Sequence, residues 1–172
     1  MKDFVKILLT ILIFVLLIFI EFSIISHNSL FGIKPNLLLI IIVILTLFFK
    51  ESVSLGLSLC VGILADIIYI SNGVGIYTLL YTLVSGVLMI VKNNFIKLNE
   101  IAVVYLSIIA TLVYEVAYFL ILVLGYSAEI SFFRLIFSAI LSIVLNSALT
   151  LAIYNILRKL YLKENPVNIY LK

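Results

Sequence analysis

The chain has 172 residues, of which 66% are hydrophobic and 11% charged, with a formal net charge of +3 and a mean hydropathy of +1.40. Soluble domains carry about 25% charged residues, so this composition excludes a water-soluble fold and leaves almost no chain for a domain outside the bilayer. Nucleic-acid binding is excluded by the lack of a dense Lys/Arg patch, and with 1 Cys and 1 His neither an intrachain disulfide nor a structural zinc site is expected.

A spanning helix needs about 20 mostly apolar residues. In chain order the runs that qualify are 4–26, 35–49, 53–70, 74–91, 101–124 and 132–157, followed by a short basic tail, 158–172. The prediction is an all-α integral membrane protein, a six-transmembrane-helix bundle forming one polytopic domain over 1–172. Lys2 and Lys6 before the first run imitate a secretory signal. No A-x-A-like cleavage site follows, since the first alanine is Ala65, so the run is expected to stay as an anchor. The second run is short, Leu37 to Phe49 without a charge, and Pro35 suits a first helical turn. It reads either as a thin, steep span or as a half-inserted one.

The third run carries the most information. Ser54, Ser58, Gly62 and Asp66 recur every fourth residue and form one narrow ridge, while Ser52, Gly56 and Cys60 form a second, roughly 200° around the helix. Membrane helices associate where small residues let backbones approach, so small residues on two sides predict neighbours on two sides and place this helix at the centre of the bundle. The break Ser71-Asn72-Gly73-Val74-Gly75 allows positive φ at both glycines and only an antiparallel neighbour.

Placing the amino terminus inside puts Lys2, Lys6, Lys50, Lys92, Lys97, Arg158, Lys159, Lys163 and Lys172 on the inner side and only Lys34 and Arg134 outside. That positive-inside bias predicts an even number of spans and both termini in the cytoplasm.

Ionisable residues within spans are costly in hydrocarbon and are default functional candidates. Here they are Glu21, Asp66, Glu115 and Arg134. At ~1.5 Å per residue, Asp66 and Glu115 come to similar depth, Glu21 lies somewhat nearer the outer surface, and Arg134 can reach inward from outside. The spacing allows an acidic cluster in the outer half with Arg134 as its cation. Against this stands a plainer account, in which Glu21 and Arg134 snorkel to the interface, Asp66 either docks a neighbour or merely ends its helix, and Tyr114 and Tyr118 satisfy Glu115. Asn146, midway along the sixth run, reads as an interhelical hydrogen-bonding residue. His27 reads as an outer loop residue, and Tyr69, Tyr77, Tyr126, Tyr154 and Tyr161 as an aromatic belt at span ends. Catalysis finds no support. Asp3 lies in the terminus, so Asp66 has no aspartate for a dyad, and no phosphate loop or His-Glu-x-x-His is present.

Lys34-Pro35-Asn36 before Leu37-Leu38-Leu39, then Gly56, Gly62-Ile-Leu-Ala-Asp66-Ile-Ile, then Gly73 or Gly75, resemble the rod shape-determining MreD family over residues 32–80. The resemblance implies a non-catalytic subunit of the cell-wall elongation machinery in the bacterial cytoplasmic membrane, without cofactor or metal. It implies binding to the bitopic protein MreC and, through it, linkage of an MreB filament to the RodA polymerase and its transpeptidase in lateral peptidoglycan synthesis. Pro35, Asn36, Gly56, Gly62 and Asp66 are the residues expected to pack helices or bind the partner. Two alternatives stay open. The substrate-binding subunit of an energy-coupling-factor vitamin transporter has a similar six-helix layout, although residues 4–22 lack the alanines it uses for docking. A small ion or proton carrier rests on Asp66 and Glu115 alone.

Overall fold

Length decides where the second apolar run goes. In the computed structural model, which describes residues 12–25, 35–69, 75–93, 99–126 and 132–162, this run is the helix α2, Leu37–Phe48, of 12 residues. At 1.5 Å per residue it measures about 18 Å, well short of the ~30 Å hydrocarbon core. A helix that short leaves its unpaired N–H and C=O groups below the headgroups, where lipid offers no partner and only protein can satisfy them. The fold meets this by burying α2 along all but its last residue, Phe48, which is half-buried. Every side chain from Leu37 to Leu47 is at most 4% exposed, and α2 touches α3, α4, α5 and α6.

The helices around it are α1, residues 12–20 with a π-helical continuation Glu21–Ile25, α3, Glu51–Ile68, α4, Ile76–Lys92, α5, Glu100–Tyr126, and α6, Phe132–Leu162. The described residues contain no strand. Glu51–Ile68, Glu100–Leu124 and Ile136–Lys159 are long and apolar enough to cross a membrane, whereas Leu12–Ser23, Leu37–Phe48 and Ile76–Lys92 are shorter apolar helices. Helix α6 continues to Leu162, so the first part of the segment expected as a basic tail, with Arg158 and Lys159, is helical.

The centre of the molecule is therefore α2, a correction to the expectation for α3. Of the two small-residue ridges on α3, Ser54, Ser58, Gly62 and Asp66 are buried, while Ser52, Gly56 and Cys60 are exposed. Small residues permit a close approach without requiring one. At Gly62 the approach is made, and a Cβ there would lie 2.5 Å from Thr78 Cα of α4. At Gly56 a Cβ would meet nothing within 4 Å. Hydroxyls knit the same region, with Thr46 Oγ1 and Ser54 Oγ 3.1 Å apart and Ser54 Oγ and Ser85 Oγ 3.5 Å apart. The α5–α6 pair is joined likewise, by Ser107 Oγ and Thr150 Oγ1 at 3.1 Å.

Candidate functional site

The first turn of α2 is where the polar residues of the bundle meet. Pro35 is buried and sits just before the helix, not within its first turn as expected, because Asn36 takes the N-cap position with extended backbone (φ −95°, ψ 91°). Four N–H groups at a helix start have no intrahelical acceptor, and three of them find side chains here. Leu39 N–H donates to Asn36 Oδ1 at 2.9 Å, Asn36 N–H to Asn146 Oδ1 of α6 at 3.0 Å, and Leu37 N–H to Glu21 Oε2 of α1 at 2.9 Å. Further groups hold the acceptors. Tyr81 O–H donates to Asn36 Oδ1 at 3.2 Å, Tyr69 O–H to Glu21 Oε1 at 3.3 Å, and Asn146 Nδ2 to Thr111 Oγ1 at 3.3 Å. Four helices and the C-cap residue of α3 thus contribute to the start of α2 or brace the groups that do.

Glu21 is 7% exposed, so it does not snorkel. It opens the π-helical stretch of α1, and such wide turns change the direction in which side chains leave a helix.

Asp66 performs the same task for α4. The residue before α4, Gly75, has φ +93° and no side chain to cap with. Asp66 reaches across from α3, its Oδ1 accepting from Tyr77 N–H at 2.9 Å and its Oδ2 from Thr78 N–H at 3.0 Å and from the Thr78 hydroxyl. Tyr77 and Thr78 are the second and third residues of α4, the positions an N-cap side chain ordinarily serves, and a carboxylate there also complements the positive end of the helix dipole.

Glu21 and Asp66, two members of the expected acidic cluster, thus serve as the acceptors of two caps. They are connected by a file of rings, Phe22–Tyr69–Tyr77–Tyr81–Tyr114–Tyr118, with successive centroids 5.2–6.1 Å apart. Tyr77 and Tyr154 are buried and Tyr69 is half-buried, so these three pack within the bundle instead of forming a belt. Glu115 takes part in neither cap and lies near Ser142 of α6; Tyr114 and Tyr118 stack on each other at 8°. The side chains of Arg134, Tyr126 and Tyr161, together with His27 and Gly73, lie outside the described residues. Sequence reasoning missed Tyr81, Thr78 and Thr111, whose types carry no mark distinguishing them from other membrane-helix hydroxyls.

A family model described as rod shape-determining protein MreD matches residues 1–163. The chain belongs to the MreD family. The match extends well beyond the 32–80 segment that carries the resemblance and takes in all six helices. It makes this MreD a membrane protein of rod-shape determination. No curated protein and no solved structure matches the chain.

Proposed function

We propose that this MreD is a non-catalytic scaffold of the bacterial cell-wall elongation machinery, a multi-pass protein of the cytoplasmic membrane. It holds an MreC-like single-span partner and through it joins an MreB-like filament to a RodA-type polymerase with its transpeptidase. One observation carries the scaffold reading over the carrier alternative. Asp66, one of the two carboxylates on which the carrier alternative rests, is committed to backbone N–H groups opening another helix, as Glu21 is. A carrier must change the protonation of its carboxylate during the cycle, and here each protonation would weaken bonds that hold two helices together.

The residues named for packing or partner binding divide by direction. Pro35, Asn36, Gly62 and Asp66 are turned to the bundle and serve packing. Gly56 faces out, and with Cys60, Ile63 and Ile67 it shares one exposed face of α3. Between this face and α4 runs a groove of about 850 Å³, lined among others by Ile63, Asp66, Ile67, Thr78, Leu79 and Leu83. We assign the partner's transmembrane helix to this face, since bare glycine is what a close helix crossing in lipid requires. The test is co-purification of the MreC-like partner with Gly56→Leu. Loss of the partner, with unchanged thermal stability of MreD and widened cells, is the expected result. Full recovery of the partner and normal cell width would remove this face from consideration.

A further inference from the structure

Helix α2 begins inside the protein and ends near its surface, where Phe48 and Phe49 are half-buried and Lys50 is exposed. The last four carbonyls of a helix have no intrahelical donor, and α2 has no basic residue in its own last turn to serve them. Phe49 N–H reaches back to Leu45 O at 2.9 Å. The next two carbonyls are met from another helix. Lys92, the last residue of α4, places Nζ 2.6 Å from Thr46 O and 3.4 Å from Leu47 O. Nearby, Asn93 Nδ2 donates to Glu51 Oε1 at 3.1 Å, which ties the end of α4 to the start of α3.

We propose that Lys92 is the pin for the carboxyl end of α2, setting the depth of that helix and, through it, the position of Asn36 at the far end. The reasoning is geometric. A helix about 18 Å long cannot be located by interfacial residues at both ends of the bilayer, as a full span is, so its depth must come from bonds to neighbours. At the amino end these are Glu21 and Asn146. At the carboxyl end, Lys92 is the side chain bonded to the terminal carbonyls among the described residues, and an ammonium there also complements the negative end of the helix dipole. A lysine that merely snorkelled would extend its amine toward water; this one turns it onto carbonyl oxygens while half-buried. Lys92 and Tyr81 both belong to α4, so one helix grips α2 at its carboxyl end and at its N-cap.

Two measurements on the full-length protein in lipid nanodiscs test this. In the native protein, reductive methylation by formaldehyde and a borohydride should modify Lys92 at least tenfold more slowly than exposed Lys50. In Lys92→Met, hydrogen exchange should accelerate about tenfold in peptides covering both ends of α2, residues 36–39 and 46–50, with α6 peptides unchanged and Lys50→Met indistinguishable from native. Equal reactivity of Lys92 and Lys50 would overturn the proposal, as would unchanged exchange in α2 or acceleration confined to its carboxyl end. Uniform acceleration across all helices would overturn it too, since a pin acts on one helix first. Should Lys92→Met fail to fold, the reactivity of the native lysine decides alone.

Discussion

Glu21 and Asp66 solve one chemical problem twice, each lending a carboxylate to a helix that lacks one. Their substitution should therefore be read by hydrogen-bond capacity more than by charge. In Asp66→Asn one amide oxygen replaces two acceptor oxygens, so at least one of the Tyr77 and Thr78 N–H groups loses its partner; the expected cost is about 1 kcal/mol, the usual value of an N-cap. Asp66→Leu leaves all three donors without their acceptor, the Tyr77 N–H in a buried position and the two of Thr78 in a half-buried one, and should cost about 2–3 kcal/mol. Thermal unfolding in detergent gives the order native, Asn, Leu, and co-purification of the partner should follow it. If Asn is as damaging as Leu to cell width while remaining stable, charge itself matters and the carrier reading moves ahead. Glu21→Gln keeps an oxygen for Leu37 N–H and should be milder than Glu21→Ala, which strips it and should cost about 1–3 kcal/mol.

Two glycines on one helix, six residues apart in sequence, make opposite predictions at the level of elements. At Gly62 even alanine brings a Cβ to 2.5 Å from a backbone atom of α4. Neither backbone can yield locally, so Gly62→Ala should cost about 1–3 kcal/mol, as overpacking does, and Gly62→Leu more. At Gly56 there is open space, and alanine should be neutral or gain up to about 1 kcal/mol from helix propensity. Melting curves of the two alanine variants make the comparison. A tolerated Gly62→Ala would mean that α3 and α4 are not in contact there. The spacing of Ser54, Ser58, Gly62 and Asp66 was readable as one face, and the tight break after α3 already placed the start of α4 beside its end, where Asp66 lies. What the spacing could not reveal is that the second ridge stays bare, since a small residue looks the same whether or not a neighbour comes. The central role of α2 was hidden for a related reason. Leu and Ile on every side suit lipid as well as a protein interior, so hydropathy alone does not separate the two. The separating facts are the helix's length and its polar partners, and one of those, Asn146, is 110 residues away.

For the whole molecule, the charge asymmetry of the loops predicts both termini in the cytoplasm. Reporter fusions after residue 98 and at the carboxyl end should both report cytoplasm; a periplasmic carboxyl end would mean that one expected crossing, foremost the short α2, does not count as one. The all-helical fold of the described residues was legible from the long apolar runs, because a helix satisfies its own backbone groups in lipid. The polar layer was only half legible, because it joins residues by bonds across distant helices, such as Asn36 to Asn146 and Tyr81 to Asn36. Those distant bonds bear on how the protein is made. A ribosome delivers α2 long before it delivers α4 and α6, so the helix must wait with only Glu21 and Asn36 at its amino end while Tyr81, Lys92 and finally Asn146 are still untranslated. During that interval it is too short to cross and too apolar to leave. Biogenesis of this MreD should therefore lean on an insertase or chaperone that shelters an incomplete helix. A chain released before α6 is finished should be recognised as unfinished and degraded, even though its earlier helices are already in place.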